Sequence, residues 1–597
     1  MNIEKYTWNL NLLYSSDNDN QIDRDIENSK KLIESFVIKY KTNNKYLTSP
    51  QLLLKSLEEY EKLEEEKNSI SKAWYYFFLR YDQDSTNKEI KQKLNNIENI
   101  ETELSNKLTF YTINISKIDE KLQKKILEYK PLEKYKHLLE RLFVQGKYTL
   151  GEKEENILSL MSKPAYSNWK RFVSDQVNQS EGKVIDSNKN SRTESFNQIL
   201  GNLTSSDSIL RDSSAKIVHK VLRDKLSIAT EELNSILEVC KISDNLRGYT
   251  RPDQSRHISD DIETQTVDAL VQSITNRFDI PQRYYKLRAK ILGKKKIKYH
   301  ERAYPLYKDN KEYTFEKAKE IILKTYKEID NELAILVEKF FKEGRIDVYP
   351  SKGKRGGAYC IGIKPQLPVY ILLNYNKQTH DILTIAHELG HGINDELIGT
   401  NQNSLNYGTP LSTAEVASTF FEDFALENLT SNVKDEEKLY IYMDKLADDI
   451  STIFRQIALY NFELELHNTY REKSYLNSSE ISDMFNKHMF AYMGEGVSKD
   501  SGCENWWVYW GHIRRPFYVY SYASGLLISK SLQELVREDK QNTEKIKKFL
   551  STGLSRSPRD IFLDMNIDIN DKNFWDKGLD RIEHMLNEAE RIFNEQR

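Results

Sequence analysis

The sequence predicts a predominantly α-helical protein, and three observations carry that expectation. Only 22 Gly and 12 Pro interrupt 597 residues. Leu, Ile, Tyr and Phe recur at steps of three, four and seven between faces rich in Glu and Lys. Only one stretch changes convincingly to a strand-like texture. The length is enough for several domains or for one large helical body. Lys plus Arg (88) nearly cancels Asp plus Glu (91), so no global field draws the chain to nucleic acid or to an anionic membrane, and neither is expected as a partner. Cys240, Cys360 and Cys503 are far apart and odd in number, which fits free thiols in a reducing compartment. The opening residues lack an apolar core behind a basic start, and no run approaches the length of a membrane span. A soluble, cytoplasmic protein is expected.

In chain order, Leu53, Leu57, Tyr60, Leu63, Ile70, Trp74 and Phe77 mark one face of a long helix, with Glu58, Glu59, Glu65 and Glu66 opposite. Similar faces run through Leu94 to Phe110, Leu122 to Phe143, Glu154 to Val177 and Glu194 to Leu222, with Pro131 and Pro164 as breaks. The first third therefore reads as a helical array without a repeat. Gly182 to Arg192 reads as a polar loop or short hairpin, and Lys294-Lys295-Lys296-Ile297-Lys298 as a solvated loop. Between Ile346 and Asn376 a Gly-rich loop, Gly353 to Cys360, leads to a strand, Val369 to Tyr375. No Lys-Ser or Lys-Thr pair follows those glycines, so the loop is not a phosphate cradle.

The segment Asp381 to Glu396 reads as a helix carrying His387-Glu388-Leu389-Gly390-His391. Four residues apart, His387 and His391 project from one face and can reach one tetrahedral Zn²⁺. Glu388 lies beside that position, where a carboxylate can take a proton from a bound water. A third ligand is expected from a second helix opening at Ser412-Thr413, in which Glu415 is an acid among Ala414, Val416 and Ala417. A buried carboxylate without a partner is costly, and a metal ion explains it. Glu422, seven residues later on the same face, is placed to orient a ligand histidine.

At these residues the sequence resembles the M3 family of metallopeptidases, the thimet oligopeptidase relatives, and within it the oligoendopeptidase F branch. The resemblance covers nearly the whole chain, including Tyr6 to Tyr14, Gly353 to Tyr359, and Ser557 to Ile561 with Asn573 to Trp575. It implies one zinc ion on His387, His391 and Glu415, with Glu388 as base. It further implies an elongated, two-lobed helical body with a deep central channel and a small sheet at the active site. The segments implied are an N-terminal helical region (1–115), an oligoendopeptidase F-type subdomain (116–200) and a catalytic region (201–597). The stretch His512 to Gly525 is similar to the family's His-and-Tyr segment, which assigns oxyanion stabilisation to His512 and Tyr518, with Tyr520 and Tyr522 as further candidates. Arg514-Arg515 stands where this branch carries aromatic residues. The implied activity is hydrolysis of internal bonds in short to medium peptides. Gly356, Gly357 and Tyr359 are expected to close on a substrate laid along an edge strand, Val369 to Tyr375. Two rival readings are a peptide-binding protein without catalysis, opposed by Glu388, and a zinc exopeptidase, opposed by the lack of an acidic exopeptidase motif between Pro350 and Thr384.

Overall fold

A computed structural model describes residues 6–66, 68–306, 311–431 and 433–596. The patterned segments form helices. They include α1 (Asn20–Tyr40), α2 (Pro50–Glu66), α3 (Asn68–Gln83) and α4 (Lys88–Ser116). The apolar face expected after Ser49 is carried by α2 and α3. Pro131 opens a 3₁₀ turn, Lys130–Tyr135, and Pro164 sits in a π-helical turn, Lys163–Ser167. Each proline removes a backbone donor, so the continuous apolar pattern is interrupted there.

Five strands among the described residues form two small sheets. Strands β1 (Glu181–Ile185) and β2 (Ser191–Ser195) pair as an antiparallel hairpin where a polar loop or hairpin is expected. The second sheet contains β3 (Ile346–Asp347), β4 (Tyr359–Ile361) and β5 (Tyr370–Leu372) in the order β3-β5-β4. This corrects one expectation: Val369 to Tyr375 does not supply an edge. The β5 strand lies in the middle, parallel to β3 and antiparallel to β4. The backbone N–H groups of Ile371 and Leu373 are spent on Arg345 and Asp347, so the edge available to a peptide belongs to β4.

By contacts the chain divides into two compact units, each assembled from three stretches. The first comprises Met1–Lys147, Asp309–Ser431 and Leu532–Ile567. Its core joins Leu53, Tyr75, Leu104 and Tyr111 of the N-terminal helices to Tyr370 and Leu372 of β5. Polar ties fix the same junction: Trp8 Nε1 donates to Ile371 O at 2.8 Å, and Tyr75 donates to Ile361 O at 2.6 Å. The helices α5 (Thr379–Asn401) and α6 (Val416–Thr430) pack on each other in this unit.

The second unit comprises Tyr148–Lys308, Asn432–Ser531 and Asp568–Arg597. It contains the buried helix α7 (Phe454–Lys473) and the start of α8 (Tyr520–Glu538). The lysine run is ion-paired: Lys296 meets Glu495 at 2.9 Å and Lys298 meets Asp212 at 2.6 Å. No helix among the described residues is long and apolar enough to cross a membrane.

Candidate metal centre

Helix α5 places His387 and His391 one turn apart, and a glycine between them lets α6 come close. A Cβ on Gly390 would lie 2.6 Å from Ser418 Cα and 2.7 Å from Ala417 O, so any side chain there would push the helices apart. The approach brings Glu415 Oε2 to 3.4 Å from His387 Nε2 and 3.3 Å from His391 Nε2. Two ligand atoms each about 2.1 Å from a tetrahedral ion lie about 3.4 Å apart, so these donors fit one metal. Among the described residues they form a set whose ligand atoms all lie within 4.8 Å of one another.

Glu415 does not sit inside a helix that starts at Ser412. Leu411–Thr413 is a separate 3₁₀ turn, and Glu415 is the residue immediately preceding α6. There its carboxylate faces the positive end of the helix dipole and accepts from Ser418 Oγ at 2.9 Å. Burial opposes its charge, but the two imidazoles hold its carboxyl far below the usual range. Burial likewise opposes protonation of His387, yet Glu415 and Glu422 raise it to about 10. The pocket therefore favours a cation between the histidines and the carboxylate. Glu422 Oε2 lies 3.0 Å from His387 Nδ1 and orients the ring so that Nε2 faces Glu415.

Glu388 is buried on α5, and burial raises its carboxyl pKa. It accepts a hydrogen bond from the Cys360 amide, which the ladder turns away from β5. This contact gives β4 a second task and was not legible in the sequence. A cleft of about 500 Å³ opens beside these groups, lined by Gly357 and Ala358 on one side and by His387, Glu388 and Glu422 on the other.

The other expected site residues divide. Gly356 and Gly357 are exposed, and a Cβ on either would meet open space. Gly357 has φ +80°, a conformation suited to glycine, and its carbonyl accepts from Asn374 Nδ2 at 2.7 Å. Tyr359, expected to close over a substrate, instead donates to Asp82 Oδ2 at 2.7 Å, with its ring near Trp8 and Phe78. In the second unit the His512 ring pairs through Nδ1 with the Tyr518 hydroxyl, and Tyr522 lies 3.5 Å from that hydroxyl. Burial and the Arg455 charge lower the His512 pKa, so the ring is neutral near pH 7. Tyr520, expected to touch substrate, is fully buried and donates to Asp260 at 2.8 Å. Residues two apart in a helix point to nearly opposite sides, so Tyr520 faces the core while Tyr522 reaches the surface.

Phe517, just before Tyr518, has φ +64°, and its N–H donates to the buried Glu463 at 3.0 Å. Its ring packs on His467 and Tyr460. These contacts fix the backbone from which the phenol projects, and no local pattern announces them.

Relatives carry the same arrangement of chain. The sequence is 26% identical over 593 residues to "Oligopeptidase PepF" of Bacillus subtilis, covering 98% of this chain and 87% of the relative. It is 26% identical over 599 residues to "Oligoendopeptidase F homolog" of Borreliella burgdorferi, covering 99% and 98%. In fold it is similar to a crystal structure from Chlamydophila abortus, with TM-score 0.85, 23% identity and 98% of both chains covered. It also matches the crystal structure of oligoendopeptidase-F from Enterococcus faecium, with TM-score 0.68, 18% identity, and 96% and 98% covered. The family model described as Oligopeptidase F matches residues 114–178, and that described as Peptidase family M3 matches residues 210–581, a span that includes both metal-facing helices. With two histidines and a glutamate converging as a metal-binding peptidase requires, the chain belongs to peptidase family M3, on its oligoendopeptidase F branch, and is a peptidase.

Proposed function

We propose that this peptidase is a zinc-dependent endopeptidase that hydrolyses internal bonds of short to medium peptides. The observation that carries the reading is the convergence of His387, His391 and Glu415 at the separation a single tetrahedral ion needs, with Glu388 beside them. Zinc held by these donors would polarise the scissile carbonyl and lower the pKa of a bound water. Glu388 takes the proton of the attacking water and returns it to the leaving amine. The Cys360 amide holds that carboxylate in place, and burial raises its proton affinity toward what a base working near neutral pH needs.

His512, Tyr518 and Tyr522 are assigned, on the resemblance, to donate hydrogen bonds to the carbonyl oxygen as charge develops there. Where the Tyr518 hydroxyl donates to Nδ1, the neutral His512 ring keeps its own proton on Nε2 and remains a donor. The Cys360 amide being spent on Glu388, an extended peptide meets the backbone just ahead of β4, at Gly357 and Ala358 on the cleft wall, where the Gly356-Gly357 turn leaves room for it. Residues 116–200 form the branch-specific subdomain in this reading. A cytoplasmic location suits the three cysteines, which are all free thiols.

The test is an internally quenched peptide blocked at both ends. Cleavage at an internal bond, lost on chelation and restored by zinc, is the expected result. Metal-independent cleavage, or release of single residues from unblocked peptides alone, overturns the proposal.

A further inference from the structure

A second cavity, of about 770 Å³, lies within the second unit with His512 and Tyr518 on its wall. Four cations line it: Lys170, Arg455, Arg514 and Arg515. Its one lining carboxylate, Glu232, is already engaged by Arg514 at 2.7 Å, with both side chains buried. The side chains of the remaining three make no hydrogen bond or ion pair to any described residue. The Arg455 guanidinium lies 5.6 Å from the Trp510 ring, and it also lines a smaller cavity, of about 240 Å³, with Arg302, Asp444 and Asp448; Arg515 lies 4.9 Å from the Tyr518 ring. These faces attract a cation but cannot neutralise it.

Arg455 is the informative member. It projects from α7, a helix whose neighbouring positions are core, and it is mostly shielded from water. Burial lowers its pKa, and the second cation in its surroundings, Arg302, lowers it further. An arginine cannot shed its proton at physiological pH, so the charge stays and is costly to hold uncompensated. Such a charge on a cavity wall is an acceptor site for an anion that arrives from outside. A guanidinium offers a planar pair of N–H donors, which matches a carboxylate.

We propose that this cavity takes a carboxylate of the peptide substrate, so that the enzyme selects peptides with an acidic side chain, or the free C-terminus, at the position that enters it. The proposal deepens the endopeptidase reading above and rests on it. Arg455 provides the shielded contact, while Lys170 and Arg515, both exposed, draw the anion in.

The experiment uses the zinc-loaded enzyme and blocked quenched peptides in which one Glu is moved along the sequence, each paired with its Gln twin. A further pair ends in a free acid or an amide. At one position, or at the terminus, the acid is expected to exceed its neutral twin about tenfold in kcat/KM, as a charged hydrogen bond would give. Discrimination in the Glu scan identifies a side chain as the occupant, and discrimination only in the terminal pair identifies the C-terminus. Arg455→Met should bring the ratio to near one, and the exposed Arg515→Gln should reduce it in part. The preference of the parent enzyme should also shrink as salt is raised.

Ratios near one throughout the scan, with cleavage intact, overturn the proposal and leave the endopeptidase reading standing. If no peptide is cleaved, that reading falls instead. Fluorescence anisotropy of labelled acid and neutral twins on Glu388→Gln protein then decides the carboxylate preference alone, equal affinities refuting it.

Discussion

The metal centre and the His512 cavity are built on opposite electrostatic plans. Around His387, each positive or potentially positive group faces a carboxylate, Glu415 on one side and Glu422 on the other, and the field is closed except for the position an ion would take. Around His512 the cations outnumber the acids, and burial, reinforced by Arg455, keeps the imidazole neutral. The first arrangement suits a resident cation whose place is set by geometry. The second suits a transient anion. Changes in the first region should therefore act through metal and chemistry, and those in the second through substrate choice and local backbone.

The sharpest break is Glu388→Gln. The amide keeps the shape of the carboxylate but cannot accept the water proton, so turnover should fall on the order of 10² or more while zinc remains bound. Metal analysis alongside single-turnover rates would show it, and near-normal turnover would remove Glu388 from the role of base. Glu422→Ala comes next. Losing the carboxylate that orients His387 should weaken zinc affinity by about 10- to 100-fold without abolishing binding. Competition with a chelator of known affinity measures this, and an unchanged affinity would make Glu422 a merely structural partner.

A smaller effect is expected at the helix contact. Gly390→Val should force α5 and α6 apart at a cost of about 1–3 kcal/mol, visible in denaturant unfolding, and should reduce zinc affinity at the same time. Lost stability with unaltered zinc affinity would mean that Glu415 does not depend on the close approach.

The smallest change tests the second region. Burial holds the Glu463 carboxyl well above its usual pKa, so the folded state favours its neutral form. The stability it contributes is complete below the unfolded value of about 4.3 and declines as pH rises toward the folded one. Glu463→Gln keeps an acceptor for the Phe517 N–H and has no such decline. It should therefore gain on the parent between ~pH 5 and ~pH 8 in unfolding midpoint, whereas a constant difference across that range would show that the carboxyl does not titrate as burial requires.

The metal centre was legible to the extent that it is local. An i, i+4 histidine pair and an acid in an apolar run need only helix geometry to be read, and the structure brings those side chains together. Helix starts were less legible: α6 begins after Glu415 because a 3₁₀ turn intervenes, a choice of a few residues that capping patterns do not settle. The sheet order was not legible at all. β3 is two residues long, too short for any periodicity, yet it takes one side of β5 and leaves β4 at the edge. The Tyr359 partner was illegible for the same reason, since Asp82 lies far upstream in the chain. Tyr520 was a different miss, because its burial follows from helical rotation relative to Tyr522.

The interleaving of the first unit has a consequence for synthesis. All five residues of the metal centre have been made by Glu422, but the stretch Leu532–Ile567 that completes the unit follows much later. That stretch supplies Gln533, whose amide donates to Thr419 O and Phe420 O at 3.3 Å, and the Leu550 carbonyl, which accepts from Asn394 at 2.6 Å. At ribosomal speeds the interval is on the order of ten seconds. During it the ligand helices lack part of their packing, so the centre matures only once the stretch Leu532–Ile567 has been made.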